Sequence, residues 1–324
     1  MQVFDRVRAS LLIALSAVQG HAVSTTVPAH SPSQRSSIEL TEAYSLQVPD
    51  SFVLAGAAAS THGRILLWSL NQSRLILVTD TTMVRLDADV GRGVIAGSFI
   101  QGDSVLEVVT SSPPAIVRFT SKGRLVRRRT LGRWADSVAL ETGAHADGGW
   151  VIGAVQGDKS YRVVHVSDAG AKEVTWQLLE ATRVRDLGRS FQMTASEGRV
   201  LMASHFPPYS VIGITPTGST AILVAQSALV SRRVIGAPDT SSRWIALPVV
   251  VLDTGFIQTF ADLNSDRRIL TLYTSGFDLV NHVASNVPLG MMTSIPSRRV
   301  LVSGRNLRGR VELVVYRWRW VARN

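Results

Sequence analysis

The sequence predicts an all-β protein that is built from six similar four-stranded antiparallel sheets. The first observation is a run of alternating apolar and polar residues that ends in a short polar turn, and this pattern recurs six times. The second is its spacing, because the aligned positions lie 41, 47, 48, 58 and 43 residues apart. The third is the lack of a sustained helical period after the N-terminal region, where residues 173–187 are the nearest candidate for a helix.

The aligned positions belong to the third strand of each unit, and they are Val78, Phe119, Val166, Ile214, Leu272 and Val315. Four residues after the first five of them come Thr82, Gly123, Gly170, Gly218 and Gly276. Glycine suits these turns because three-residue hairpin loops commonly need one residue at positive φ. Two more strand-like segments precede each aligned run, so one unit is four strands in roughly 40–50 residues, the size of a propeller blade.

With this layout the sequence resembles the exported six-bladed β-propellers of bacteria, the broad group that contains the NHL-repeat and TolB-like propellers. The resemblance rests on the spacing and on the hairpin glycines, and it covers residues 37–324. It implies a single propeller domain with a ligand surface on one face of the blades, and it transfers no catalytic residue. Two smaller β domains are the alternative, divided at residues 226–243, which are otherwise a long loop between blades four and five and a candidate lid.

The two ends of the chain are predicted to pair with each other. The sixth unit has only three strands of its own, whereas residues 37–48 alternate and precede the first blade. Pairing residues 37–48 with residues 311–321 would complete the sixth blade, close the ring and cover an exposed edge. Arg317 and Arg319 would then share one face of the last strand. Trp318 and Trp320 would share the other face and pack between the sixth and first blades.

The N-terminus has the order of charged, apolar and small residues that is typical of a secretory signal peptide, predicted over residues 1–22. A buried N-terminal helix is the alternative. Residues 23–36 are polar with two prolines and are expected to form a flexible leader. No other long apolar run occurs, so we expect no transmembrane segment in the mature chain. The predicted signal peptide implies a periplasmic or secreted location, and we expect a monomer.

Composition narrows the function classes. Cysteine is absent, which excludes disulfides, thiol nucleophiles and Cys-ligated zinc. The net charge is +10, with 31 arginines and three lysines, so an anionic small molecule, a glycan or a protein is the expected partner. Nucleic acid is not expected, because no DNA- or RNA-reading motif is present. Residues 122–135 hold six basic side chains, either as a patch for anionic lipid or glycan or as a charged outer strand.

Candidate binding residues lie in two sets of loops. One set leads into the first strand of each blade, here called the leading loops, and the other joins second to third strands. In propellers these loops share one face, at the mouth of a central channel. The predicted ligand-binding residues are Arg92, Arg133, Trp134, Asp136, Arg185, His205, Tyr209 and Arg243. Converging arginines can hold a carboxylate, sulfate or phosphate through bidentate hydrogen bonds.

Two loops suggest further chemistry. Two prolines stiffen residues 205–209, whose His205, Phe206 and Tyr209 could form an aromatic platform with a titratable group. Residues 262–266 resemble the start of a calcium loop but lack its glycine and distal glutamate, so a polar hairpin turn explains them and no metal is predicted.

The sequence predicts an exported, non-enzymatic binding or interaction propeller that needs no cofactor. No GxSxG, HExxH or paired-carboxylate motif appears, so no catalytic residue is assigned. The alternative is a lyase, a hydrolase or a quinoprotein-like dehydrogenase that acts at the channel mouth. His205, Tyr209 and Arg243 are the candidate residues for such an enzyme.

Overall fold

In a computed structural model of the chain, the described residues form 25 β-strands in six antiparallel sheets. It describes residues 25–26, 36–48, 52–69, 74–79, 82–86, 90–146, 148–156, 160–168, 173–177, 191–196, 198–205, 209–215, 220–225, 244–262, 265, 267–285, 289–290, 292–295, 300–307 and 310–322. Apart from Thr25–Thr26, the predicted signal peptide and leader up to residue 35 lie outside the described residues, as does the predicted loop 226–243.

Contacts divide the chain into two compact units, one of which is Leu54–Ala225. It contains blades one to four, each a sheet of four strands that are consecutive in the sequence. The strands are, in blade one, β3 (Leu54–Ala59), β4 (Ile65–Ser69), β5 (Leu75–Thr79) and β6 (Thr82–Leu86); in blade two, β7 (Arg92–Ile100), β8 (Val105–Ser112), β9 (Pro114–Thr120) and β10 (Leu125–Thr130); in blade three, β11 (Ala139–Ala146), β12 (Gly149–Gln156), β13 (Ser160–Ser167) and β14 (Glu173–Gln177); and in blade four, β15 (Phe191–Ser196), β16 (Arg199–Ser204), β17 (Ser210–Ile214) and β18 (Thr220–Ala225).

The second unit joins Met1–Val53 with Gln226–Asn324. Its strands are, in blade five, β19 (Trp244–Val251), β20 (Gly255–Asp262), β21 (Arg268–Thr274) and β22 (Leu279–Ser285), and in blade six, β23 (Met292–Ile295), β24 (Val300–Leu307), β25 (Arg310–Ala322), β2 (Ser36–Gln47) and the short β1 (Thr25–Thr26). The six sheets are the blades of a six-bladed β-propeller, as the repeat predicts. Within the described residues no helix has the length and apolar character needed to cross a bilayer.

Burial within each blade follows the position of the strand. In blade one, β4 and β5 are almost wholly buried, whereas the outer strand β6 is mostly exposed. The outer strand of blade two, β10, carries the basic run and is exposed along most of its length. This confirms that the run forms an outer strand, where charge protects an unpaired edge.

The hairpin glycines are only partly confirmed. Gly123 has a φ of 81°, as expected for the turn between the third and fourth strands. In blade five the residue at positive φ is Phe277, at 68°, and not Gly276. The Phe277 ring stacks on Phe256 with 4.2 Å between centroids and is buried, so tertiary packing holds a conformation that is unfavourable for a bulky residue. Gly170 and Gly218 lie outside the described residues.

The predicted pairing of the two chain ends is present. Strand β2 pairs antiparallel with β25, from Ser36 opposite Ala322 to Gln47 opposite Glu312. Glu39 accepts a hydrogen bond from Arg319 Nε at 2.5 Å across this pair. That this pairing closes a ring stays a prediction.

The predicted alternation of the last strand is confirmed only near its end, where Arg317 is exposed and Trp318 is buried, whereas residues 311–316 are all buried. The expectation that the tryptophans pack between blades six and one is wrong. Trp318 belongs to a hydrophobic cluster with Val250 and Leu252 of blade five, and Trp320 donates its indole N–H to Asp253 at 3.2 Å. A period of two fixes which side chains share a face, but it does not tell which neighbouring blade that face meets.

Replacement of Leu40 tests whether β2 is part of the core. Leu40 is fully buried and packs in the cluster of blades five and six, so Leu40→Ala should lower the free energy of unfolding by roughly 2–5 kcal/mol. The neighbouring side chain of Thr41 is exposed, so Thr41→Ala should change the free energy of unfolding by less than about 0.5 kcal/mol. Urea unfolding measures both, and equal stability of the two variants would contradict the assignment.

A second prediction concerns pH. Burial lowers the pKa of His282 in β22 from 6.5 to about 4. Between these values the unfolded chain binds a proton at this side chain and the folded chain does not. His282 therefore costs stability as the pH falls through this window, and it contributes no pH dependence above it. His282→Gln should flatten the fall in melting temperature between pH 7 and 5. His62→Gln, which changes an exposed histidine, is the control, and parallel profiles for wild type and His282→Gln would contradict the prediction.

Candidate functional site

The leading loop of blade two presents Arg92 on a well-defined backbone. Arg92 is exposed and lies between Gly91 and Gly93, whose φ angles are 83° and 67°. A Cβ atom at Gly93 would lie 2.2 Å from Ser111 Oγ, and one at Gly91 would lie 2.9 Å from the Ser112 carbonyl oxygen. The start of β7 therefore lies against the end of β8, and only glycine fits on either side of the arginine.

The leading loop of blade three is a short 3-10 helix, Arg133–Ser137. Its Ala135 is buried, and Trp134 packs against the cluster shared by blades two and three. Arg133 and Asp136 are exposed on the same helix. Packing of the apolar side therefore directs one positive and one negative side chain toward solvent.

These two leading loops lie at the same end of neighbouring strands. Ala96 and Gly143 each lie four residues after the first residue of β7 and of β11, respectively. A Cβ atom at Gly143 would be 3.4 Å from the Cβ atom of Ala96. The starts of the two strands are thus level, which places Arg92 and Arg133 on one face of the unit.

The predicted aromatic platform of blade four is buried at both ends. His205 is 3% exposed and Tyr209 is 1% exposed. Burial also raises the pKa of the Tyr209 hydroxyl well above its ordinary value. Outside this pair in the sequence, the Ser204 hydroxyl accepts a hydrogen bond from the backbone N–H of Ser210 at 2.7 Å. His205 and Tyr209 are therefore shielded from solvent and do not form an exposed platform.

The remaining predicted site residues, Arg185 and Arg243, lie outside the described residues, as does Phe206.

In the loop whose sequence resembles the start of a calcium site, an arginine side chain binds the backbone. The buried Arg268 donates through Nη1 to the carbonyl oxygens of Asp262, Ser265 and Arg267 at 3.3, 3.2 and 2.9 Å. The Asp262 carboxylate accepts from the Ser265 hydroxyl at 2.6 Å. The Arg268 guanidinium thus binds the backbone carbonyl groups of this loop.

The opposite end of blades two and three holds a cluster that the sequence analysis did not find. Glu107, His145 and Asp168 each offer a ligand atom, and these atoms all lie within 4.8 Å of one another. His145 Nε2 is 3.1 and 3.2 Å from the two carboxylate oxygens of Asp168. A second histidine, His165, lies on the neighbouring strand β13. Burial lowers the pKa of His165, and the charge of Asp168 opposes this shift.

Glu107 is the buried member of this cluster and is held from two sides. Arg118 Nε donates to its Oε1 at 2.7 Å, and the indole N–H of Trp150 donates to Oε2 at 2.7 Å. The ring of His145 stands nearly perpendicular to that of Trp150, with 5.4 Å between centroids. The carboxylate is thus fixed in orientation and compensated in charge.

A smaller histidine–carboxylate pair occupies the equivalent end of blades one and two. His62 Nδ1 lies 2.9 Å from Asp103 Oδ2, which also accepts from the Thr61 hydroxyl at 2.5 Å. Hydrogen bonds from Thr61 and His62 lower the pKa of Asp103 although burial acts in the opposite direction and is the largest single influence. Among the described residues this pair has no third metal-type ligand, in contrast to the Glu107 cluster.

No family model and no curated protein sequence matches the chain. Several solved structures are similar to this chain. A DUF4221 family member from Bacteroides vulgatus has 9% identity and a TM-score of 0.59, over 87% of this chain and 98% of that chain. The PQQ-bound aldose sugar dehydrogenase from Streptomyces coelicolor has 11% identity and a TM-score of 0.57, over 89% and 100%.

The β-propeller domain of Cps50 (Swd1) from Myceliophteria thermophila has 12% identity and a TM-score of 0.55, over 93% of this chain and 98% of that chain. At such identities the likeness shows the fold alone. It agrees with the six-bladed β-propeller found in the sheets, and it assigns neither an activity nor a ligand to this chain.

The contacts of Glu107 predict that the loss of its cationic partner, Arg118, lowers the stability of the fold. Arg118→Ala would leave a buried carboxylate with Trp150 as its remaining side-chain partner among the hydrogen bonds found here. We expect this change to lower the free energy of unfolding by roughly 2–3 kcal/mol. Arg127→Ala removes an exposed arginine from the adjacent strand and should cost less than about 0.5 kcal/mol. Denaturant unfolding compares the two, and equal losses would show that Glu107 does not depend on Arg118.

Proposed function

We propose that this protein is an exported, non-enzymatic binding propeller that holds an anionic ligand at the predicted channel mouth. The single observation that carries the proposal is the exposed Arg92 between two glycines of positive φ. The contacts of the two glycines fix the backbone that carries Arg92, so a ligand has to immobilise the side chain alone. Arg133 at the same end of the neighbouring strand would provide a second guanidinium for the same ligand.

The chemistry of the ligand follows from the two arginines. Guanidinium groups bind carboxylate, sulfate and phosphate oxygens through paired N–H donors. Asp136 beside Arg133 would accept a hydroxyl donor and disfavour a ligand that is anionic throughout. A glycan or another hydroxylated molecule with one or more acidic groups fits this combination best. The net charge of +10 would further raise the local concentration of such a ligand.

Burial of His205 and Tyr209 favours binding over catalysis at this face. Both were the candidates for acid–base chemistry, and a general acid or base must come within hydrogen-bond reach of its substrate. Export, and with it a periplasmic or secreted location, is part of the proposal and rests on the predicted signal peptide. The proposal requires no cofactor.

The experiment is a thermal-shift and calorimetric screen of the full chain with sulfate, citrate and a sulfated oligosaccharide. A probe that binds only the folded protein raises the melting temperature. Arg92→Ala should then weaken binding of that probe by about 10- to 100-fold, which corresponds to losing hydrogen bonds to a charged group. The melting temperature without the probe should stay unchanged, because Arg92 is exposed.

The matched control is Arg124→Ala, which removes an exposed arginine from the opposite end of the same blade. It should leave the affinity within about twofold of wild type. Equal losses for Arg92→Ala and Arg124→Ala would mean that only net charge attracts the probe. That result, or the absence of any shift with the three probes, would contradict the proposed site.

A further inference from the structure

We propose that Glu107, His145 and Asp168 form a binding site for a zinc-class divalent metal ion at the ends of blades two and three opposite the leading loops. The three ligand atoms come from three separate places in the sequence and lie within 4.8 Å of one another. One imidazole with two carboxylates is a donor set that suits zinc and neighbouring transition metals.

Two of the three ligands already have the separation that coordination requires. Ligand atoms about 2.0–2.1 Å from a tetrahedral ion lie roughly 3.3 Å from each other. His145 Nε2 is 3.1 and 3.2 Å from the carboxylate oxygens of Asp168. The remaining gap to Glu107 is at most roughly 1.5 Å, and the partly exposed Asp168 is the ligand with room to close it, because Glu107 is held by Arg118 and Trp150.

The ligands are oriented by groups behind them. Arg118 and Trp150 each donate one hydrogen bond to Glu107, one to each oxygen, which leaves further lone pairs for a metal ion. The edge of the His145 ring is fixed against Trp150. Such outer partners fix the direction of metal ligands and are a regular feature of metal sites.

Charge and access also favour a cation. Glu107 and Asp168 bring two negative charges and Arg118 offsets one of them, so one negative charge remains in the cluster to attract a cation. The side chain of Glu107 is 4% exposed, whereas that of Asp168 is 38% exposed. An ion can therefore enter from the Asp168 side and be held on the Glu107 side.

A fourth position of a tetrahedral ion remains for solvent. A site with three protein ligands and one open position can polarise a bound water or substrate oxygen. The location differs from that of the proposed anion site, so either proposal can hold when the other fails.

The test is a titration of the chelator-treated full chain with Zn²⁺, followed by calorimetry and by the melting temperature. We expect one ion per chain with a dissociation constant below about 10 μM and a rise in melting temperature. Asp168→Asn should weaken binding at least tenfold while leaving the metal-free melting temperature within about 2 °C, because the side chain is partly exposed. His145→Gln should also weaken Zn²⁺ binding at least tenfold.

The matched control is His62→Gln, which removes a histidine from the other histidine–carboxylate pair at this end of the blades. It should leave Zn²⁺ affinity unchanged. Co²⁺ gives a second readout, because the wild-type chain should show the visible absorption of a four-coordinate ion and Asp168→Asn should lose it. No binding below 100 μM Zn²⁺, or binding that Asp168→Asn and His62→Gln weaken equally, would overturn the proposal and leave a simple ion pair.

Discussion

Backbone pairing between the first long strand and the last strand is the constraint on which the unit of blades five and six depends. Without residues 36–47 the strand Arg310–Ala322 would be an outer strand with a row of unpaired N–H and C=O groups. It would also lose Ile38 and Leu40 from the cluster that includes Trp318. The pairing therefore satisfies the backbone and completes the core of the blade in one step.

The two ends of blades two and three differ in chemistry for a physical reason. At one end, arginines are exposed at the entry to the first strands. Arg92 lies between two closely fitting glycines, and Arg133 precedes a tryptophan that packs against a buried cluster. At the other end, charged groups lie within or directly after strands, where burial forces them to find partners. Glu107 is paired with Arg118, and His145 is paired with Asp168. One end therefore offers exposed positive charge, and the other offers a set of metal-type ligands whose negative charge is only partly compensated.

Strand period and spacing were enough to predict the six blades and the pairing of the chain ends, because both depend on local alternation and on the length of the unit. The partner of Trp318 could not be predicted in this way, since the face of a strand is local but its neighbouring blade is not. Phe277 at positive φ depends on stacking with a residue of another strand. The burial of His205 and Tyr209 likewise follows from packing and not from the loop sequence.

The Glu107 cluster shows the same limit at the level of function. Its members come from two blades, so no motif brings them together in the sequence. A weak signal was available, since His165 and Asp168 lie three residues apart at a hairpin and His145 precedes the previous turn. The turns next to His145 and Asp168 lie at the same end of blade three, so the repeat alone could have grouped these two residues. Glu107 has no such signal in the sequence. Arg92, in contrast, could be predicted because the leading loops follow directly from the repeat.

Hydrogen exchange of the backbone amides, followed by mass spectrometry, tests the central claim most directly. If the chain ends form one sheet, peptides from residues 36–47 should exchange as slowly as peptides from residues 300–307, which pair with the other side of the last strand. The contradictory result is complete exchange of residues 36–47 within seconds while residues 300–307 stay protected.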